Sequence, residues 1–119
     1  MRVLRVSSVA RRDIVRILAR SQEVFGEQAR LRYQELIEAT LRDIFEYPED
    51  PRSRLREELG QNVRTRHLMS SRKSVVPSTK SVVKPRHMFV YWVDDDRVLI
   101  GRLLHERMEL VRWLEGPGA

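Results

Sequence analysis

The chain has 119 residues, no cysteine, and 23 Lys and Arg against 17 Asp and Glu, a net charge of +6. That length makes one domain with a modest core, and the missing cysteine excludes disulfides, thiol chemistry and thiolate metal sites. The three histidines, His67, His87 and His105, show no ligand spacing, and no apolar run reaches signal-peptide or membrane-span length. The expectation is a cytoplasmic protein with no metal site and no membrane segment.

RVLRVS at 2–7 alternates and is rich in β-branched residues, which predicts a first strand. Ser7 or Ser8 then offers an N-cap hydroxyl, and Asp13 falls in the early turns, where negative charge suits the helix dipole. Ala10, Ile14, Ile17 and Leu18 mark one apolar helical face, with Arg11, Arg12, Arg16 and Arg20 outside it. Phe25-Gly26 stops this helix. A second helix follows at once, with Ala29, Tyr33, Leu36, Ile37, Thr40, Leu41 and Ile44 on one face through to Phe45, and Pro48 and Pro51 end it. So short a connection predicts an antiparallel helical hairpin, with Tyr33 and Phe45 in the core.

A polar connector follows, in which Leu55 and Leu59 dock a short turn of helix. VRTRHLM at 63–69 reads as a weakly patterned strand. HMFVYWV at 87–93 is apolar on both faces, as a central strand should be. DDD at 94–96 is a turn, and RVLIGRLLH at 97–105 is another strong strand. The closing stretch, 106–116, reads as a short helix or turn laid on the core through Met108, Val111 and Trp113 or Leu114. The expected fold is α+β, β-α-α-β-β-β: an antiparallel helical hairpin packed on one face of a mainly antiparallel sheet, a single domain over 1–119 with a C-terminal extension from 106.

Residues 70–86 form an insert between the second and third of these strands. In it KSVV is written twice around Pro77-Ser78-Thr79. The simplest expectation is that the two strands continue outward as a β-ribbon, an extended basic hairpin with its tip near Pro77. From Gly60 to Val93 there is no acidic residue and a charge of +7, whereas the rest of the chain carries −1. So local an excess marks a surface for a polyanion or an acidic peptide; the alternative is a solvated loop that keeps the protein soluble.

An ordered set of segments resembles a known family: ARRDIVRI at 10–17, FGEQARLRYQELI at 25–37, Leu59-Gly60 with Val63-Arg64, PRHMFVYWV at 85–93 and VLIGRLLHERMEL at 98–110. Together they are similar to the ParE branch of the RelE/ParE toxins of bacterial toxin–antitoxin operons. The resemblance implies a toxin without a cofactor that inhibits DNA gyrase. It also implies a cognate antitoxin, ParD-like or similar, that contacts operator DNA itself and wraps the toxin with an acidic, amphipathic C-terminal segment in a hetero-oligomeric complex. On that reading the target- or antitoxin-binding candidates are Arg64, Arg66, Arg72, Lys73, Lys80, Lys84, Arg86, Arg102, His105 and Arg107. The helical hairpin is expected to lend the antitoxin a groove.

Two alternatives stand beside it. The RelE branch cleaves mRNA on the ribosome, which needs proton transfer and a cation at the phosphate. Arg64, Arg86 and His105 are the candidates for that chemistry, with His105 as general acid or base. No tyrosine follows the last strand where that branch commonly has one. The third reading is a non-toxic, basic nucleic-acid-binding adaptor that uses Tyr91 or Trp92 as a stacking platform.

Overall fold

The structure, a computed structural model, describes residues 2–75, 82–108 and 110. The chain opens with β1 (Val3–Val6), which leads directly into α1 (Ser8–Phe25). Ser7 is the N-cap: its Oγ accepts the Ala10 N–H at 3.0 Å and donates to the Gly101 carbonyl at 2.8 Å. That one side chain therefore caps the helix and fastens its start to the sheet. Gly26, at φ 95°, closes α1 and opens α2 (Glu27–Glu46). A side chain is strained at such an angle, so the glycine allows two long helices to meet with no further connector.

Five strands form one sheet in the order β1-β5-β4-β3-β2: β2 (Arg54–Leu55), β3 (Val63–His67), β4 (His87–Val93) and β5 (Arg97–His105) complete it. β1 joins β5 in parallel, and every other pairing is antiparallel. The fold is the expected α+β layout, with the two-residue edge strand β2 added. A 3-10 turn at Glu57–Leu59 follows that edge. Its Leu59 packs as expected, while Leu55 stays half exposed.

The helices cover one face of the sheet. Ala10, Leu36, Ile37 and Ile44 meet Phe89, Tyr91, Val93, Val98, Ile100 and Leu103 there. A smaller cluster of Val63, Val90 and Leu104 lies apart from it, with Trp92, Leu59 and Leu110 packed against it. On β5 the helix-facing residues change parity, from Val98 and Ile100 to Leu103, because a bulge falls between Val90 and Tyr91 of the partner strand and leaves Gly101 unmatched. The Trp92 ring lies over Gly101 in the space a Cβ would need.

Three expectations are corrected. Strands two and three do not run outward as a ribbon. β3 stops at His67, and Leu68–Ser74 is a 3-10 turn packed on α2. Local side-chain bonds turn the chain: the His67 ring accepts the Met69 N–H at 3.0 Å, and Ser70 Oγ donates to the His67 carbonyl at 2.8 Å. The insert then keeps to α2. Ser74 Oγ donates to Asp43 at 2.8 Å, Val75 and Val82 pack on the main core, and the Arg86 N–H reaches Tyr33 Oη at 3.1 Å. Asp43 and Tyr33 are ten residues apart on α2, roughly 15 Å, so the described limbs lie along the helix. Residues 76–81, with Pro77 and Lys80, fall outside the described residues, as do Val111, Trp113 and Leu114. Second, Asp13 is no dipole residue: it is buried beyond the first turn and paired with β5. Third, Phe45 is 39 % exposed at the end of α2.

Candidate functional site

The expected contact residues divide into those the fold uses internally and those it leaves open. On β3 the helix-facing positions are Arg64 and Arg66, paired in register with Tyr91 and Phe89. Arg66 is 1 % exposed, donates to Ser71 Oγ at 3.1 Å and to Asp43 at 3.4 Å, and stands 3.9 Å from Asp50. Arg64 Nε donates to Ser53 Oγ at 2.9 Å. Arg102 grips Asp13 in bidentate fashion, Nε at 2.8 Å and Nη2 at 3.0 Å, while the Leu103 N–H donates to the same carboxylate at 3.0 Å. Arg66 and Arg102 thus tie the sheet to the helices, and Arg64 ties β3 to the connector before β2. Arg72 stands beside Met69, and Lys73 and Arg107 are exposed at separate places.

The remaining candidates converge at one end of the sheet. His87 and His105 face each other across β4 and β5, with ring centroids 5.4 Å apart, edge to face. Each ring is held through Nδ1: His87 by Tyr33 Oη at 2.6 Å, His105 by the Arg107 N–H at 3.1 Å. Tyr33 is pushed up to about 12, first by burial, so its hydroxyl keeps its proton. With the Arg86 N–H as its donor, Tyr33 has that proton to give to His87. His87 itself is pushed down to about 4, by burial first and then by His105 and His67. Alongside, Glu106 accepts from His67 Nε2 at 3.1 Å, lies 3.8 Å from Arg86, and is held below the usual carboxylate range chiefly by the His67 bond. The His67 tautomer follows from its bonds: Nδ1 accepts the Met69 N–H, so Nε2 carries the proton.

This cluster floors one end of a groove between the second half of α1, the first half of α2 and the returning limb of the insert. The larger chamber, about 500 Å³, is lined by Ile17, Phe25, Ala29, Tyr33, Val82 and Val83 and rimmed by Arg20, Arg32, Lys84 and Arg86. No carboxylate lines it. A second chamber of about 380 Å³ shares Ile17, Arg20, Phe25, Arg86 and His87 with it and extends past Arg16 to His105 and Met108. The one carboxylate of that chamber is Asp13, already held by Arg102. Among the described residues Arg20, Arg32 and Lys84 form no ion pair. Phe25 and Val83 are about three-quarters exposed, at 75 % and 77 %. The groove is therefore apolar along its floor and cationic along its rim, which suits an acidic segment with an apolar face.

Sequence reasoning placed Lys84, Arg86 and His105 here and missed Arg20, Arg32 and Phe25. The signal for Arg20 was present in the arginine row on α1, but a helix's outer face gives no sign of the neighbour it adjoins. The ribonuclease set is not gathered. Arg86 and His105 stand together, while Arg64 is four strand positions along the sheet and bonded to Ser53. For the adaptor reading, Tyr91 is fully buried with its hydroxyl donating to the Pro48 carbonyl at 2.6 Å, and Trp92 is half-buried over Gly101. Tyr91 therefore offers no open ring face, and Trp92 has one side of its ring set against Gly101.

The family described as ParE toxin of type II toxin-antitoxin system, parDE, matches residues 4–110. No curated protein matches the chain. With the match running from β1 past the end of β5, the chain belongs to the ParE toxin family, and it is a toxin of a type II toxin–antitoxin system.

Proposed function

We propose that this ParE-family toxin acts on DNA gyrase by binding rather than by catalysis, and that its antitoxin neutralises it by laying an acidic, amphipathic segment into the α1–α2 groove. The observation that carries the second half is the groove itself. Its apolar floor is bordered by Arg20, Arg32 and Lys84, which no described carboxylate neutralises, and by Arg86, which stands 3.8 Å from Glu106. Guanidinium groups recognise carboxylates through paired donors, and Arg20, Arg32 and Arg86 are placed to do so. Lys84 adds a fourth charge.

Family membership supports gyrase as the target, and the sorting of the candidate residues agrees with it. Of the three groups a ribonuclease would need, Arg64 is engaged in the fold and distant from the other two. The test is a supercoiling and DNA-cleavage assay with purified gyrase, run on the natural protein and on His105→Ala. Linear DNA should accumulate with both. No effect on gyrase at micromolar protein would overturn the gyrase reading and direct the search to ribosome-bound mRNA. Loss of gyrase poisoning in His105→Ala alone would overturn the claim that no acid–base chemistry is involved.

A further inference from the structure

The outer surface of α1 carries a row that the groove accounts for only in part. Arg12, Arg16 and Arg20 recur at every fourth residue, and all three are exposed. Successive members rise about 6 Å along the helix, so three guanidinium groups form a track about 12 Å long. Among the described residues little neutralises it. Arg12 and Arg20 form no ion pair with a described residue. Arg16 stands 3.9 Å from Asp13, whose oxygens already accept from Arg102 and from the Leu103 N–H. The other carboxylate of α1, Glu23, makes no ion pair among the described residues. At its Arg20 end the track meets Arg32 and Lys84 across the groove.

We infer that this track, Arg12-Arg16-Arg20 continued by Arg32 and Lys84, is a contact surface for the phosphate backbone of DNA. An evenly spaced cationic row fits a polymer of evenly spaced charge. An amphipathic peptide needs apolar anchors beside its charges, and the groove's apolar lining begins at Ile17 and Phe25, leaving Arg12 outside both chambers. Contacts of this kind position a protein on a duplex without reading its sequence. They would hold the toxin against the DNA that gyrase carries, and the choice of DNA over RNA rests on the gyrase reading. Since Arg20, Arg32 and Lys84 belong to both surfaces, DNA and the antitoxin segment would exclude one another.

The test needs neither gyrase nor antitoxin, so its failure is separate from theirs. Binding of the full chain to a short fluorescent DNA duplex is followed by anisotropy between about 50 and 200 mM salt. The Arg12→Gln/Arg16→Gln/Arg20→Gln variant, checked for folding by circular dichroism, should bind at least about tenfold more weakly at low salt. Its slope of log affinity against log salt should be shallower by about 3. If that variant does not fold, Arg16→Gln alone should reduce the slope by about 1. A control of equal charge change on other exposed positions, Arg42→Gln/Arg54→Gln/Arg97→Gln, should bind nearly as the natural protein does. Equal losses in the two triple variants would reduce the effect to net charge and overturn the site. So would absence of DNA binding at low salt. Tighter binding of a single-stranded RNA of the same length would overturn the assignment to DNA.

Discussion

His87 is a base kept neutral inside the fold, and its surroundings fix the direction of a pH effect. Burial drives its pKa down to about 4, and the neighbouring His105 and His67 push the same way. In an unfolded chain the ring would titrate near 6.5. Between those values the unfolded state binds the extra proton, so stability rises with pH. The contribution is complete above the unfolded pKa and is lost as pH falls toward the folded one. Glu106 belongs to a lower window: its depressed pKa withdraws stability only as pH falls below the ordinary carboxylate range. The expected outcome is a loss on the order of 2 kcal/mol between pH 7 and pH 4.5, read as a falling urea midpoint. In His87→Gln, which keeps a polar partner for Tyr33, that slope should flatten. An unchanged slope would place the titrating group elsewhere.

At the scale of elements, the fastening of α1 to β5 rests on one buried carboxylate. Asp13 is 3 % exposed and accepts two bonds from Arg102 and one from the Leu103 backbone. Breaking such a buried pair by removing one partner costs about 3–5 kcal/mol. Asp13→Asn is expected to fall in that range by chemical denaturation. Arg102→Met should cost less, because the remaining carboxylate keeps the Leu103 N–H as a donor and Arg16 within reach. Equal losses in the two variants would mean that helix packing rather than the pair sets the cost.

The same elements show what the sequence could and could not carry. Helix starts and stops were legible because Ser7 and Gly26 act on their immediate neighbours. β4 was legible because it is apolar on both faces. β3 gave only a weak pattern for a physical reason: its helix-facing positions are arginines, and Arg66 is buried by contacts to Asp43 and Ser71 that lie 23 and five residues away. Hydrophobic periodicity has no sign for a buried cation whose partners are distant. Asp13 was misread likewise, since its partner Arg102 is 89 residues on. β2 is too short to carry a period, and the repeated KSVV raised an expectation of paired strands that local bonds from His67 and Ser70 override.

On the whole molecule, charge counted along the chain and charge arranged in space give different maps. Counting places the excess between Gly60 and Val93. The fold withdraws Arg64 and Arg66 from that segment into contacts within the protein, and it sets Arg20 and Arg32 of the helices opposite Lys84 and Arg86. The cationic rim of the groove is thus a product of the helical hairpin meeting the insert. This arrangement makes a prediction that composition alone would not. Reversing two helix charges, Arg20→Glu and Arg32→Glu, should weaken capture by the co-expressed antitoxin by about 2 kcal/mol or more, since like charges would then face an acidic segment. Replacing Lys73 with Ser should change it by less than about 0.5 kcal/mol, the ordinary effect of an exposed position away from a contact. The measurement is titration calorimetry of the purified pair at two salt concentrations. The natural protein should lose affinity as salt rises, and the double reversal should lose that dependence together with its affinity. If the Lys73 change matters more than the helix reversals, the antitoxin lies on the insert's outer surface, and the groove between α1 and α2 serves another ligand.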